Sequence, residues 1–243
     1  MRKFMRSCLV AALVFSFAAT PAITQSAKDI LDKMIDAQGG RDALAKVKDM
    51  TITGTMEMVQ MGLSGSLTLY QKEPNKLRID AEFMGMVITQ AYDGENAWWV
   101  NPQTGTAEDM PEQMAADIRR QALGNDSLLH PEKYGITFTY KGKETLEDKE
   151  YHVLEQAFAD GFKAALYVDP QTYLVYKTKA RTTNQMGVEV DAETFMSDYK
   201  KVDGLMMAHS MRVLQDGEEA MTMTFTDVTI NTGLEDSFFK KSE

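Results

Sequence analysis

The side chains able to do acid–base, nucleophilic or metal chemistry in this 243-residue chain are three histidines, one cysteine and 36 carboxylates, set against 26 lysines and arginines. His130, His152 and His209 stand alone, none with a second histidine or a cysteine at the spacing that a zinc or iron site needs. Each reads as a core or surface histidine. Leu63-Ser64-Gly65-Ser66 has a superficial likeness to a nucleophile elbow. The full G-x-S-x-G pattern is absent, however, and the stretch lies within a strand rather than at a strand-to-helix turn. The chain has no glycine-rich phosphate loop and no dinucleotide fingerprint. Carboxylates are plentiful, but no placement marks a general acid with a general base. The expectation is therefore a protein that is not an enzyme and holds no metal or cofactor.

What the chain has instead is methionine, eighteen of them, most on apolar strand faces or in the adjoining turns. Met84, Met86, Met196, Met207 and Met211 belong to this set. An unbranched, polarisable side chain lets a surface reshape itself around different apolar guests. A curved sheet of about a dozen strands encloses more volume than its own side chains fill. Such an interior suits hydrocarbon chains, which need room and no fixed hydrogen bonds. The candidate lining residues are Met56, Met58, Leu67 and Leu69 on the first strands, then Leu77, Ile79, Phe83 and Trp98. Met114 and Ile118 come from a helix, and Met221, Met223 and Phe225 from the last strand. Lys76 and Arg78 are candidates to steer a polar head at the mouth.

The elements that must position these residues are mostly strands. Ser26 can cap a helix reaching about Ala37, with Ile30, Leu31, Met34 and Ile35 on one side and Gly39-Gly40 ending it. A short turn follows over Arg41–Val47. From Met50 the period is two: Met50, Ile52, Gly54, Met56 and Met58 alternate with polar residues, then Leu63, Leu67 and Leu69. Leu77 to Phe83, Met86 to Tyr92 and Asn96 to Asn101 continue the pattern, divided by Pro74-Asn75 and by the hairpin signal Asp93-Gly94. Asp109 to Leu123 predicts a helix, with Pro111 near its start and Gly124-Asn125 as the stop. A short segment to Pro131 can add one more helical turn. Seven further strands run from Ile136 to Ile230, separated by breakers such as Asp160-Gly161, Asn184, Asp203-Gly204 and Asp216-Gly217. The tail after Ile230 is polar around Phe238-Phe239 and either docks or frays. Eleven or twelve strands with helical covers predict a half-open antiparallel β-barrel, with helices across the open side.

The first residues read as an export signal. Arg2, Lys3 and Arg6 precede an apolar run, Leu9 to Ala19, too short to span a bilayer. Cleavage after Ala22 or Ala27 fits. Taken as residues 1–27, the signal leaves 28–243 as one domain. Cys8 lies inside the signal, with the apolar run after it, the reverse of a lipid-attachment box. The remaining chain has no thiol and must draw its stability from its core. Removing the three positive charges of the signal from a chain of net −10 leaves about −13. That acidity argues against nucleic acid and against direct adhesion to anionic lipid.

The ordered set Pro74-Asn75, Asp93-Gly94, Trp98 and Asn101-Pro102 resembles the LolA-like, outer membrane lipoprotein-sorting family of periplasmic carriers. The opening Ala37-x-Gly39-Gly40 followed by Leu44 and Val47-Lys48 resembles exported members of the same family. The resemblance implies a periplasmic, monomeric lipid carrier that shields the acyl chains of lipoproteins or other lipids. It also implies inner- and outer-membrane partner proteins. These carriers often have a basic residue just before the Pro-Asn turn, where this chain has Glu73. The alternative is an envelope sensor or interaction module of the same architecture, relaying a lipid or lipoprotein signal to a membrane partner.

Overall fold

Ser26 opens the part of the chain that the computed structural model describes, which is residues 26–101, 103–183 and 188–241. The export signal with Cys8, the Asn184 breaker, Pro102 and the first residue of the strand expected at Gly187 lie outside the described residues. The Ser26 hydroxyl accepts the Asp29 N–H at 3.1 Å, and the Asp29 carboxylate accepts the Ser26 N–H at 3.1 Å. This reciprocal cap starts α1 (Ala27–Ala37) where the sequence places it. Gly39 and Gly40 take positive φ beyond its end and lead into α2 (Arg41–Leu44). No helix among the described residues is long and apolar enough to cross a membrane.

The strands then follow in chain order. The first group is β1 (Asp49–Met58), β2 (Leu63–Lys72), β3 (Lys76–Phe83), β4 (Met86–Tyr92), β5 (Ala97–Val100) and β6 (Ala107–Asp109). Helices α3 (Glu112–Gln121) and α4 (Asn125–Leu129) interrupt them. The second group is β7 (Thr137–Leu146), β8 (Lys149–Ala157), β9 (Lys163–Val168), β10 (Val175–Thr183), β11 (Glu189–Val202), β12 (Leu205–Gln215) and β13 (Glu218–Ile230). The described residues form thirteen strands where the sequence predicts eleven or twelve. The addition is β6, three residues paired with Trp98–Val100, too short to show an alternation. It also takes Asp109, so the helix expected from there begins three residues later.

All thirteen form one antiparallel sheet in the order β6-β5-β4-β3-β2-β1-β13-β12-β11-β10-β9-β8-β7. The chain's two ends meet in the middle, where β1 pairs with β13 and Met56 sits opposite Met223. The edges β6 and β7 do not pair, so the sheet does not close into a barrel. Two glycines take the place of side chains on the concave face where neighbouring strands approach closely. A Cβ at Gly54 would lie 2.1 Å from the Thr224 carbonyl oxygen, and one at Gly65 would lie 2.0 Å from that of Glu82. A bulge in the β1–β13 ladder falls at the first of these.

Helices pack against this sheet at three places, one of them where Leu31 and Ile35 of α1, Leu44 of α2 and Leu129 of α4 are buried with Leu205 of β12. Ile30 and Met34 of α1 are buried with Leu154 and Val168. Ala115 and Ile118 of α3, with Ala122 just after it, are buried with Leu77, Tyr92 and Ala97. The tail docks: Phe239 is fully buried, and its carbonyl accepts the Trp98 indole N–H at 2.8 Å.

Two of the three histidines are buried in strands. His209 Nδ1 lies 3.0 Å from the Met207 carbonyl. His152 Nδ1 lies 3.1 Å from the Tyr140 hydroxyl, and its ring stacks on Tyr173. Burial holds the His152 pKa below its ordinary 6.5, with Lys143 and Lys33 adding to the effect and Glu150 opposing it. The unfolded chain then takes up the proton first as pH falls through 6.5, so the stability from this site is present above that pH and is lost below it. Denaturation midpoints of the protein are expected to fall across this range by more than those of His152→Gln. Parallel pH profiles would contradict it.

Candidate functional site

The period-two alternation of β1 to β4 and of β13 sends one set of side chains to the concave face, where side chains of β11 and β12 join them. There they line a cavity of about 760 Å³. Ligand pockets commonly fall at roughly 300–1,000 Å³. β1 contributes Met50, Ile52, Met56 and Met58; β13 contributes Met221, Met223 and Phe225; β11 and β12 contribute Met196, Met207 and Met211. Ends of helices complete the wall, with Gln38 after α1, Leu44 in α2, Gln121 in α3 and Asn125 in α4. A second cavity of about 260 Å³ shares Met50, Ile52, Leu69 and Gln121 with it, and adds Gln71 and Leu77.

Of the thirteen residues singled out from the sequence, nine line this cavity: Met56, Met58, Leu67, Leu69, Ile79, Phe83, Met221, Met223 and Phe225. Leu77 faces the smaller cavity and the α3 interface. Ile118 and Met114 pack into that interface, and Trp98 is buried beneath the tail. A helix with an apolar stripe must bury it, but spacing does not tell whether it faces a void or a solid core. The sequence reading missed Met50, Ile52, Met206 and the amides Gln38, Gln90, Gln121 and Asn125. The alternation of β1 could have supplied the first two. Nothing local marks the amides, which arrive from four separate elements.

The lining has a mouth and a polar end. The strand register puts the β1–β2, β3–β4 and β12–β13 turns and the start of β11 at one end of the sheet. Met61, Met84, Met86, Val87 and Val188, the large hydrophobics most exposed among the described residues, all lie there. Met61 and Met86 line the cavity as well, so the exposed apolar surface runs into it. Neither Val59–Gly62 nor Met84–Val87 contains a charged residue.

Among the described residues, no Asp, Glu, Lys, Arg or His lines the larger cavity. The one ionisable side chain among the described lining residues is Tyr199, whose hydroxyl donates to the Val175 carbonyl at 2.6 Å. Burial pushes its pKa up to about 12, so it stays neutral. Among the described residues no group of three or more His, Cys, Asp and Glu is placed to hold a metal ion.

Lys76 and Arg78 are not at the mouth. Arg78 lies in β3 between the cavity-facing Leu77 and Ile79, and its guanidinium bonds the Asp80 carboxylate at 3.1 Å and the Phe238 carbonyl at 3.2 Å. Lys76 faces Asp236 at 3.7 Å. Alternation within β3 turns Arg78 away from the concave side, and both cations hold the C-terminal segment. Glu73 also has a structural task. Its carboxylate accepts the Asn125 N–H at 2.6 Å and the Asp126 N–H at 3.3 Å, capping α4 from a distant turn. Burial holds its pKa above the ordinary carboxylate value despite these two donors. Glu73→Ala is expected to cost about 1–3 kcal/mol by orphaning both N–H groups. Glu73→Gln, which keeps an acceptor and removes a half-buried charge, should cost clearly less. Equal losses in chemical denaturation would contradict this.

Comparison of the sequence with protein-family profiles and with curated proteins finds no match. The fold, in contrast, recurs in solved structures. A domain named for outer membrane lipoprotein sorting, from Vibrio parahaemolyticus, aligns with a TM-score of 0.61 at 17% identity, over 88% of this chain and 97% of that one. A LolA superfamily protein from Nitrosomonas europaea aligns with a TM-score of 0.62 at 14% identity, over 89% and 98%. A DUF1329 family protein from Desulfovibrio piger gives 0.60 at 16%, over 89% and 98%.

Proposed function

We propose, from a chain with the fold of the LolA superfamily, that this protein carries lipid in the periplasm, taking acyl chains of lipoproteins or other lipids into the concave face of its sheet. The observation that carries this reading is the cavity of about 760 Å³ lined by methionine and leucine, with no charged side chain among the described residues that line it. Burying each methylene contributes roughly 0.8 kcal/mol, so about ten contribute some 8 kcal/mol before immobilisation is subtracted. Micromolar affinity needs about 8.2 kcal/mol net, so a longer chain, or a second one, must be buried to reach it. No covalent step is required. In this reading residues 28–243 act as one monomeric domain after removal of the signal, with α1, α3 and α4 covering the open side. Met56, Met58, Leu67, Leu69, Ile79, Phe83, Met221, Met223 and Phe225 then contact the cargo, and membrane proteins donate and accept it. The test is purification from an envelope fraction, mass spectrometry of an organic extract, and displacement of a fluorescent fatty-acid analogue. Co-purifying lipid with displacement supports the reading. A protein that yields no lipid and binds no analogue refutes it.

Exchange with a bilayer takes place at the methionine end, because apolar surface there is continuous from solvent into the cavity. Charges on its exterior should obstruct it. Met84→Glu combined with Val87→Glu touches no lining residue. It is expected to slow transfer of the analogue from phosphatidylcholine vesicles by about tenfold or more, with binding in solution unchanged. Equal transfer rates would place exchange elsewhere.

A further inference from the structure

We infer that the cavity selects lipids whose polar end is uncharged, a hydroxyl, ester or amide, held by the side-chain amides of Gln38, Gln90, Gln121 and Asn125. The inference rests on the carrier reading and goes further by naming the cargo's chemistry.

These four amides come from the end of α1, from β4, from the end of α3 and from the start of α4. They converge on the end of the cavity away from the exposed methionines. Gln38 follows α1, where its carbonyl accepts the Met206 N–H beside the start of β12. Gln121 lies against Met50, Leu69 and Leu77, and Asn125 lies at the β2–β3 turn through its bond to Glu73. Gln90 sits in the same half, opposite Ile79 and Trp99. A side-chain amide offers two donors and an acceptor, so it can serve a carbonyl or a hydroxyl equally. The other polar lining group, Tyr199, already has its hydroxyl committed to a backbone carbonyl.

The same end is poor ground for an ionised head. Glu73 and Asp126 flank Asn125, and a carboxylate there would find like charge. Of the cations on neighbouring elements, Arg41 is engaged with Asp32 and the Leu129 carbonyl, Lys133 with Asp126, and Arg120 with Asp117 and Asp160, while Lys46 and Lys48 are exposed to solvent. The two carboxylates do not make a cation site either. Glu73 spends its oxygens on backbone N–H groups, and Asp126 takes Lys133 and the Tyr134 hydroxyl. A charged head in this position loses its hydration without a partner, whereas a neutral one exchanges water for amides.

The test compares monopalmitoylglycerol, palmitate and hexadecylamine as competitors of a fluorescent hydrocarbon probe, at a pH where the acid and the amine are both ionised. The neutral lipid is expected to bind about tenfold or more tightly than either ion, a difference of about 1.4 kcal/mol. Gln90→Leu combined with Gln121→Leu is expected to remove that preference while the hydrocarbon probe still binds, which also shows the variant is folded. Equal binding of all three competitors, tighter binding of an ion, or a preference that survives the double substitution overturns the inference and leaves the carrier reading standing. Failure of the probe and of every competitor to bind the unmodified protein overturns both.

Discussion

Met223→Asp is expected to lower affinity for an acyl-chain probe by about a hundredfold or more, close to 3 kcal/mol. Met223 lies opposite Met56 on one side and Met211 on the other, and all three line the cavity. An aspartate is too short to reach the mouth, and no cation lines the wall to pair with it. Its carboxylate must either hold water inside the cavity or lie desolvated, and both exclude hydrocarbon. Met223→Leu keeps volume and polarity and is expected to bind within about threefold of the unmodified protein. Probe displacement measures both, with thermal unfolding to show that the aspartate variant is folded. A folded Met223→Asp that binds normally would mean the hydrocarbon sits elsewhere.

Phe239→Ala is expected to lower stability by about 3–5 kcal/mol, the range for emptying a fully buried aromatic site. Phe239 has no exposed surface, while its backbone carbonyl holds the Trp98 indole at 2.8 Å. The neighbouring Phe238 is half-buried, packed edge-on against Tyr70 with centroids 4.7 Å apart and beneath the Arg78 guanidinium at 4.6 Å. Its replacement by alanine should cost roughly 1–2 kcal/mol. Chemical denaturation of the two variants separates these values. A loss at position 239 no larger than at 238 would show that the tail contributes little to the folded state.

The tail marks the boundary of what local pattern reveals. Phe238-Phe239 in a polar segment has no period to read, and docking or fraying were equally open. The outcome depended on a pocket beside Trp98, built by strands some 140 residues earlier in the chain. Glu73 is a similar case. Beside a Pro-Asn turn it looks like a surface charge, yet it caps α4, more than fifty residues on. Lys76 and Arg78 looked suited to a cavity mouth until the C-terminal segment claimed both.

The succession of strands along the chain, in contrast, was largely legible. Twelve of the thirteen strands follow from alternation and turn residues, because a half-buried strand writes its two faces directly into the chain. The same alternation named the apolar faces that became the cavity wall on β1, β2, β3 and β13. By itself, then, the sequence determined the meander, its helical interruption and the faces rich in methionine and leucine. Only the tertiary structure decided that β1 would pair with β13, that neighbouring strands would close in on Gly54 and Gly65, and that Ile118 and Met114 would fill a solid interface while Met223 faced a void. The physical reason is one of range. Alternation and turn chemistry act between neighbours in the chain, whereas an empty space is set by how far separate walls stand apart, which no single segment encodes.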